Sequence, residues 1–372
     1  MKLPPFHLER YFARHEFSAP WLLGSSDCET WRVDELLALE DGARERLLTL
    51  GLGYTESTGA PGLRAAIAGL YENLGADDVL VHAGAGEAIF LFMHAALSPG
   101  DHVIVHEPCY QSLAEVARGI GAEVTPWRAD PAHGWALELE DLVRALRPDT
   151  RAVVVNLPHN PTGFLPARAF LEELVRLSRR HGFRLFCDEV YRGLEQDPAD
   201  RLPAAADLDG RAVSLGVMSK TYGLAGLRIG WVATRDRALL QELARLKDYT
   251  TICNAGPSEL LAELALRHAD QLVARNLGIV RDNLALLDAF FARHEDRFDW
   301  TRPAAGPIAF PGLRKGLDAD RFCDDLVARA GVMLLPGSLY GAAWADRFRI
   351  GFGRRNLPEA LARLESAIAM ME

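Results

Sequence analysis

The stretch RAVVVNLPHNPTGFLPARAFLEELVRLSRRHGFRLFCDEVY, residues 151–191, contains two short apolar runs with an amphipathic segment between them. RAVVVNLP (151–158) and FRLFCDE (183–189) read as strands, and ARAFLEELVRLSRRHG (167–182) places its leucines at helical spacing. Strands that are apolar on both faces need cover on both faces, so this pattern predicts a mainly parallel sheet sandwiched by helices. The alternation extends outward from about residue 60 to about residue 270. Further strands are expected at DVLVHAG (78–84), HVIVHEP (102–108), EVTPW (123–127), AVSLGV (212–217) and RIGWVAT (228–234). Helices are expected at 87–97, 138–147 and 238–246. Beyond about 275 the character changes. A long helical stretch (273–294) leads to short strands in PIAFPGL and FRIGFG, with a helix at DADRFCDDLVARAG. The expected architecture is α/β, with a large domain over 35–275 and a smaller α+β domain built from 1–34 together with 276–372.

Composition narrows the partners. The chain has 372 residues, of which 49% are hydrophobic and 25% charged, and a net charge of -10. Such a chain buries a large core without disulfides or structural metal, and its acidic balance argues against nucleic acid and anionic membranes. The five cysteines are scattered and form no C-x-x-C pair, the N-terminal stretch lacks an apolar h-region, and no run is long enough to span a bilayer. A cytoplasmic protein is expected.

The positive charge is divided unevenly, into 37 arginines and four lysines. Lys2, Lys247 and Lys315 read as solvated surface: a terminus, an amphipathic helix and a charged loop. Lys220 differs. It follows an apolar strand inside SLGVMSKTYGLAGLRIGWV, an almost uncharged stretch. A partly desolvated amine has a depressed pKa and becomes a nucleophile, a role arginine cannot fill.

Ligands of open parallel sheets bind beyond the carboxyl ends of the strands, so the polar residues just after each apolar run are the ones to inspect. After the strand ending at Ala83, Gly84-Ala85-Gly86 allows close backbone approach and Glu87 opens a helix whose free amides suit an anion, although a plain tight βα turn reads the same way. Asn160 in NPTG is a turn residue by propensity, or an amide at a strand tip that donates to a ligand oxygen. Asp188 closes an apolar strand, where it either caps the next helix or pairs with a cation, and Tyr191 follows three residues on. An anion cradle, a buried acid, a phenol, an amide and an isolated amine together match the needs of pyridoxal phosphate.

The motifs GYTESTGAPGLRAAI, GAGEA, EPCYQS, NLPHNPTG, DEVY, SKTYGLAGLRIG and FRIGFG, in that order, resemble the class I/II aminotransferases, pyridoxal-phosphate enzymes of fold type I. The resemblance covers nearly the whole chain. It implies Lys220 as the Schiff-base amine and proton carrier, Asp188 as the partner of the pyridine nitrogen, and Asn160 and Tyr191 at the cofactor's 3-oxygen. It places Ala85, Gly86, Ser219 and Arg228 at the phosphate and Tyr110 on the pyridine face. Tyr54 is expected to reach the phosphate of a neighbouring subunit, making the working form a homodimer with shared active sites. Arg349 is expected to grip the substrate α-carboxylate, with Gly24 and Ser25 as further substrate contacts. The implied reaction is ping-pong transfer of an amino group between an α-amino acid and a 2-oxo acid. The same scaffold also serves β-elimination, decarboxylation and cyclisation. A non-catalytic sensor of the kind fused to DNA-binding regulators would need a basic helix-turn-helix extension, which these residues lack.

Two features depart from the family pattern. Val217 stands where many relatives have a serine three residues before the lysine. No second arginine can be assigned to a dicarboxylate side chain, Arg14 and Arg32 being undistinguished from surface residues.

Overall fold

The computed structural model of the chain describes residues 2–314 and 316–370, and Lys315 lies outside them. All seven expected strands form, in one sheet. They are β1 (Val79–His82), β2 (His102–Glu107), β3 (Glu123–Arg128), β4 (Thr150–Asn156), β5 (Arg184–Asp188), β6 (Val213–Val217) and β7 (Gly230–Ala233). Their spatial order is β1-β7-β6-β5-β4-β2-β3. The pairs from β3 to β6 are parallel, whereas β7 runs antiparallel to both β1 and β6. Pro126, which can donate no ladder hydrogen bond, sits in β3 at the sheet edge.

The strands are apolar on both faces because both faces are covered. Val103, Val105, Val154, Phe186 and Leu215 pack into one layer with the helices Ala85–Ala96 and Ser112–Ile120, Phe92 meeting Phe186 at 4.3 Å between ring centroids. The alternate residues Ile104, Val153, Val155 and Leu185 face the helix Arg168–His181 on the other side. This period-two division of the apolar set fixes the register of every central strand.

The C-terminal part carries a three-stranded antiparallel sheet with Phe348–Gly351 in its centre, between Ile308–Ala309 and Leu335–Pro336. The N-terminal segment joins it: Trp21–Leu22 pairs in parallel with Val332–Met333. A side chain at Gly351 would put its Cβ 1.7 Å from the Ser25 carbonyl oxygen, so glycine is what lets residues 24–28 lie against this strand. No helix among the described residues is long and apolar enough to cross a membrane.

One reading of the lysines is corrected. Lys247 is not solvated surface but fully buried, its Nζ donating to the Ser57 carbonyl at 2.5 Å. It ends the helix Arg237–Lys247 on the same stripe as Leu239, Leu240 and Leu243, and the chain at Ser57 folds over it. Burial lowers its pKa, opposed by the nearby carboxylates of Glu87 and Glu259.

Candidate active site

A cavity of about 390 Å³ opens beyond the carboxyl ends of β4, β5 and β6. Asp188 ends β5, and Asn156 ends β4 directly beside it. The Asn156 Nδ2 donates to the Asp188 carbonyl at 2.8 Å, and its Oδ1 accepts the Asn160 N–H at 2.7 Å. A single strand-end amide thus aligns both loops. His159 locks the second loop to the one after β2. Its Nε2 faces the Pro108 carbonyl at 2.8 Å, which can only accept, so its Nδ1 receives the Thr162 hydroxyl at 2.6 Å. Burial pushes the His159 pKa down to about 3, so this clamp stays neutral and does not titrate near neutral pH.

The Asp188 carboxylate is 6% exposed, accepts one N–H from Val190 at 3.3 Å, and has no ion-pair partner among the described residues. Burial drives its pKa up to about 7, against the pull of that N–H and of Lys220. Lys220 follows β6, is half-buried, and donates to the Ser26 hydroxyl at 2.8 Å. Burial, opposed by Asp27, lowers its pKa, which raises the fraction present as free amine. Tyr191 lines the same wall, buried, with its phenol pushed upward by desolvation.

One end of the cavity is shaped for an anion. The helix Ala85–Ala96 starts there, preceded by Gly84 with φ of 87°, and Ala85, Gly86, Ser219 and Arg228 line the space. The crowding is backbone against backbone: a Cβ on Gly230 would stand 2.7 Å from the Gly84 carbonyl carbon and 2.8 Å from the Ala85 nitrogen. A Cβ on Gly84 would meet the Arg228 guanidinium at 2.6 Å. Two glycines therefore let the helix start, its free amides and Arg228 share one small volume. Val217 lines the cavity at the position where the family pattern has a serine, and brings no hydroxyl there.

The other end is cationic. Arg349, 1% exposed, donates to the Gly24 carbonyl from Nε at 3.2 Å and from Nη2 at 2.6 Å. Its Nη1 donates to the Asn160 Oδ1 at 3.1 Å and the Tyr340 hydroxyl at 2.7 Å. Neutral oxygens orient it, and no carboxylate among the described residues neutralises it. Ser25 is buried in the same wall, and Tyr110 forms a side of the cavity with its hydroxyl on Glu9 at 2.9 Å.

Twelve of the thirteen residues singled out in the sequence thus meet at this cavity, Gly24 through its carbonyl on Arg349. Tyr54 is the exception within one chain: it is 91% exposed and faces a separate groove with Leu50 and Glu263. Sequence reasoning missed Asn156, Ser26 and Tyr340. Asn156 had a signal, being the polar residue that ends VVVN. Ser26 and Tyr340 had none, because pairings between the chain's two ends bring them in.

Comparison with known proteins gives consistent results. The family described as Aminotransferase class I and II matches residues 39–364. Capreomycidine synthase of Streptomyces vinaceus is 36% identical over 98% of this chain and 94% of its own length. A solved PLP-dependent aminotransferase from Streptococcus suis superposes with a TM-score of 0.94 at 31% identity, covering 100% of this chain and 99% of its own. The solved PLP-dependent cyclase OrfR superposes with a TM-score of 0.88 at 32% identity, covering 98% and 97%.

Proposed function

This chain belongs to the class I and II aminotransferases, a family of pyridoxal-phosphate enzymes, and on that premise we propose that it moves an amino group between an α-amino acid and a 2-oxo acid. One observation carries the reading: an isolated, half-buried amine shares a cavity with a buried unpaired carboxylate, between an anion cradle and an unneutralised arginine. The residues fit the cofactor. Arg228, Ser219 and the Ala85 and Gly86 amides would hold the phosphate in the space the two glycines leave open. Asp188, lacking a cation, would take the protonated ring nitrogen, while Asn160 and Tyr191 would bond the 3-oxygen and Tyr110 would cover a ring face.

When bound, pyridoxal phosphate supplies an aldehyde that condenses with amines and a ring that accepts the electron pair left at a substrate's α-carbon. Lys220, its basicity reduced by burial, would serve as the amine that takes up the α-proton and returns it at a neighbouring carbon. Ser26 holds that amine within the cavity. Arg349 would meet the α-carboxylate with its charge and with the one Nη2 N–H that the Gly24 carbonyl, Asn160 and Tyr340 leave free, while those three partners keep the guanidinium from rotating. We also propose that a second copy of the chain supplies Tyr54, since that ring points outward. The five free cysteines suit a reducing compartment.

The test is acceptor dependence. Holoenzyme and an active amino acid should yield stoichiometric oxo acid only when a 2-oxo acid acceptor is present. Lys220→Ala should lose both activity and the cofactor's visible absorption band. A wild-type protein that stays colourless with added cofactor would sink the proposal.

A second reading has its own support in capreomycidine synthase, 36% identical along nearly the whole chain, and in the cyclase superposing at 0.88. The same groups would then remove a proton and a β-substituent, and the substrate would close a ring with its nitrogen retained. Mass analysis of the product without acceptor separates the two: loss of the β-substituent together with one proton, with nitrogen kept, marks cyclisation.

A further inference from the structure

We propose that the amino acid accepted here carries a cationic side chain, a guanidinium or an alkylammonium, held at the cavity mouth by Glu16 and Glu9. The inference rests on the proposed function, since it takes Arg349 as the partner of the α-carboxylate.

The helix His7–His15 places Glu9 and Phe12 three residues apart, and Glu16 follows four residues later at its end. That spacing puts all three on one stripe, and all three line the cavity. With the cofactor and an α-carboxylate in place, the cations of the cavity are accounted for: Arg228 with phosphate, Arg349 with carboxylate, Lys220 with the aldehyde. Asp188 faces the ring nitrogen. Asp27 is held by Arg354, both carboxylate oxygens lying 3.0 Å from Nη2. Two acids remain. Glu9 accepts only the neutral Tyr110 hydroxyl, and the Glu16 carboxylate has neither a hydrogen bond nor an ion pair among the described residues. Burial and the neighbouring Asp27 raise the Glu16 pKa, a cost that an incoming cation would relieve.

A second observation supports a charged ligand in this cavity. Arg349, 1% exposed in its wall, has no anionic partner among the described residues. The one cavity thus holds a buried cation, an amine and two acids without cations, the complement of a molecule that carries both a carboxylate and a positive group. Phe12, between Glu9 and Glu16 on their stripe, has its ring 5.9 Å from the Arg349 guanidinium carbon and offers methylenes an apolar bed.

A second substrate carboxylate finds no such welcome. Arg14 lies over Tyr11 at 5.6 Å, Arg32 is paired with Asp34, and Arg354 is committed to Asp27. A dicarboxylate would meet Glu9 and Glu16 instead.

The experiment is calorimetric titration of the holoenzyme with L-arginine, L-lysine, L-norleucine and L-glutamate, with the cofactor band recorded in parallel. Arginine or lysine, whichever geometry suits, should bind about tenfold tighter than norleucine, and glutamate more weakly still. In Glu16→Gln the ratio of cationic to norleucine affinity should fall to about threefold or less, and Glu16→Lys should move the preference to glutamate. Norleucine or glutamate matching the cationic amino acids in the wild-type protein overturns the inference, even if the variants fail to fold. A preference for arginine with an unresponsive cofactor band would instead overturn the chemistry and leave the specificity standing.

Discussion

Asp188 is a carboxylate buried with no cation paired to it among the described residues, and its energetics can be read in the protein before any cofactor binds. Its pKa rises from 3.8 to about 7, chiefly through desolvation. The folded state therefore binds this proton more tightly than the unfolded chain does. This group costs nothing below pH ~3.8, and stability falls as the pH rises through the window up to about 7. Asparagine removes the titration. At pH 8 the cofactor-free Asp188→Asn protein should melt about 2–5 °C above the wild type, a difference that shrinks at pH 4. Its cofactor affinity should drop about 100-fold or more, because the ring nitrogen loses its counter-charge. An unchanged or lower melting temperature at pH 8 would show that the acid already has a cation. This residue was legible because a carboxylate directly after an apolar strand needs an explanation. Arg349 was not legible on such grounds: as one arginine among 37 it stood out only through its motif.

At the scale of elements, the cradle at β7 rests on a clearance of less than one methyl group. Gly230→Ala places a Cβ 2.7 Å from one backbone atom and 2.8 Å from another, and neither can move aside as a side-chain end could. The start of the helix Ala85–Ala96 must shift, taking its amides away from the phosphate. We expect affinity for pyridoxal phosphate to fall about 10- to 100-fold while affinity for phosphate-free pyridoxal changes less than about threefold. Equal losses for both ligands would show that the substitution damages the pocket as a whole rather than its anion end. The strands and helices around this cradle were readable from periodicity, since both sheet faces are buried and leave continuous apolar runs. The direction of β7 was less so. The connection from Val217 to Gly230 holds only a short 3-10 turn and no crossover helix, which allows the antiparallel return. The burial of Lys247 had a signal too, because it continues the spacing of Leu240 and Leu243. Its charge outweighed its position in the sequence reading, and only the fold of residue 57 over it reversed that.

For the whole molecule, the question is which copy of the chain completes the site. Tyr54 is 91% exposed, and other large apolar side chains nearby in sequence are bare as well: Leu48 at 75% and Leu52 at 84%. Tyr249 and Ile252, at 84% and 52%, add to the exposed apolar surface. A lone exposed leucine needs no explanation, but this many large apolar groups in two short segments suit a face covered by a second copy. If Tyr54 acts across that face, Tyr54→Ala and Lys220→Ala damage different chains' contributions to one site. Each variant alone should be impaired, Tyr54→Ala by about tenfold and Lys220→Ala completely. Refolded together in equal amounts, half of the dimers would be mixed. In each mixed dimer the chain that keeps Lys220 would receive an intact Tyr54 from its partner. One site in four would then be whole, and activity should recover to about a quarter of wild type. If Tyr54 served its own chain, every Lys220-bearing site would lack it and mixing would restore nothing. The outcome depends only on which chain the ring reaches, so it decides the shared-site arrangement without reference to the substrate.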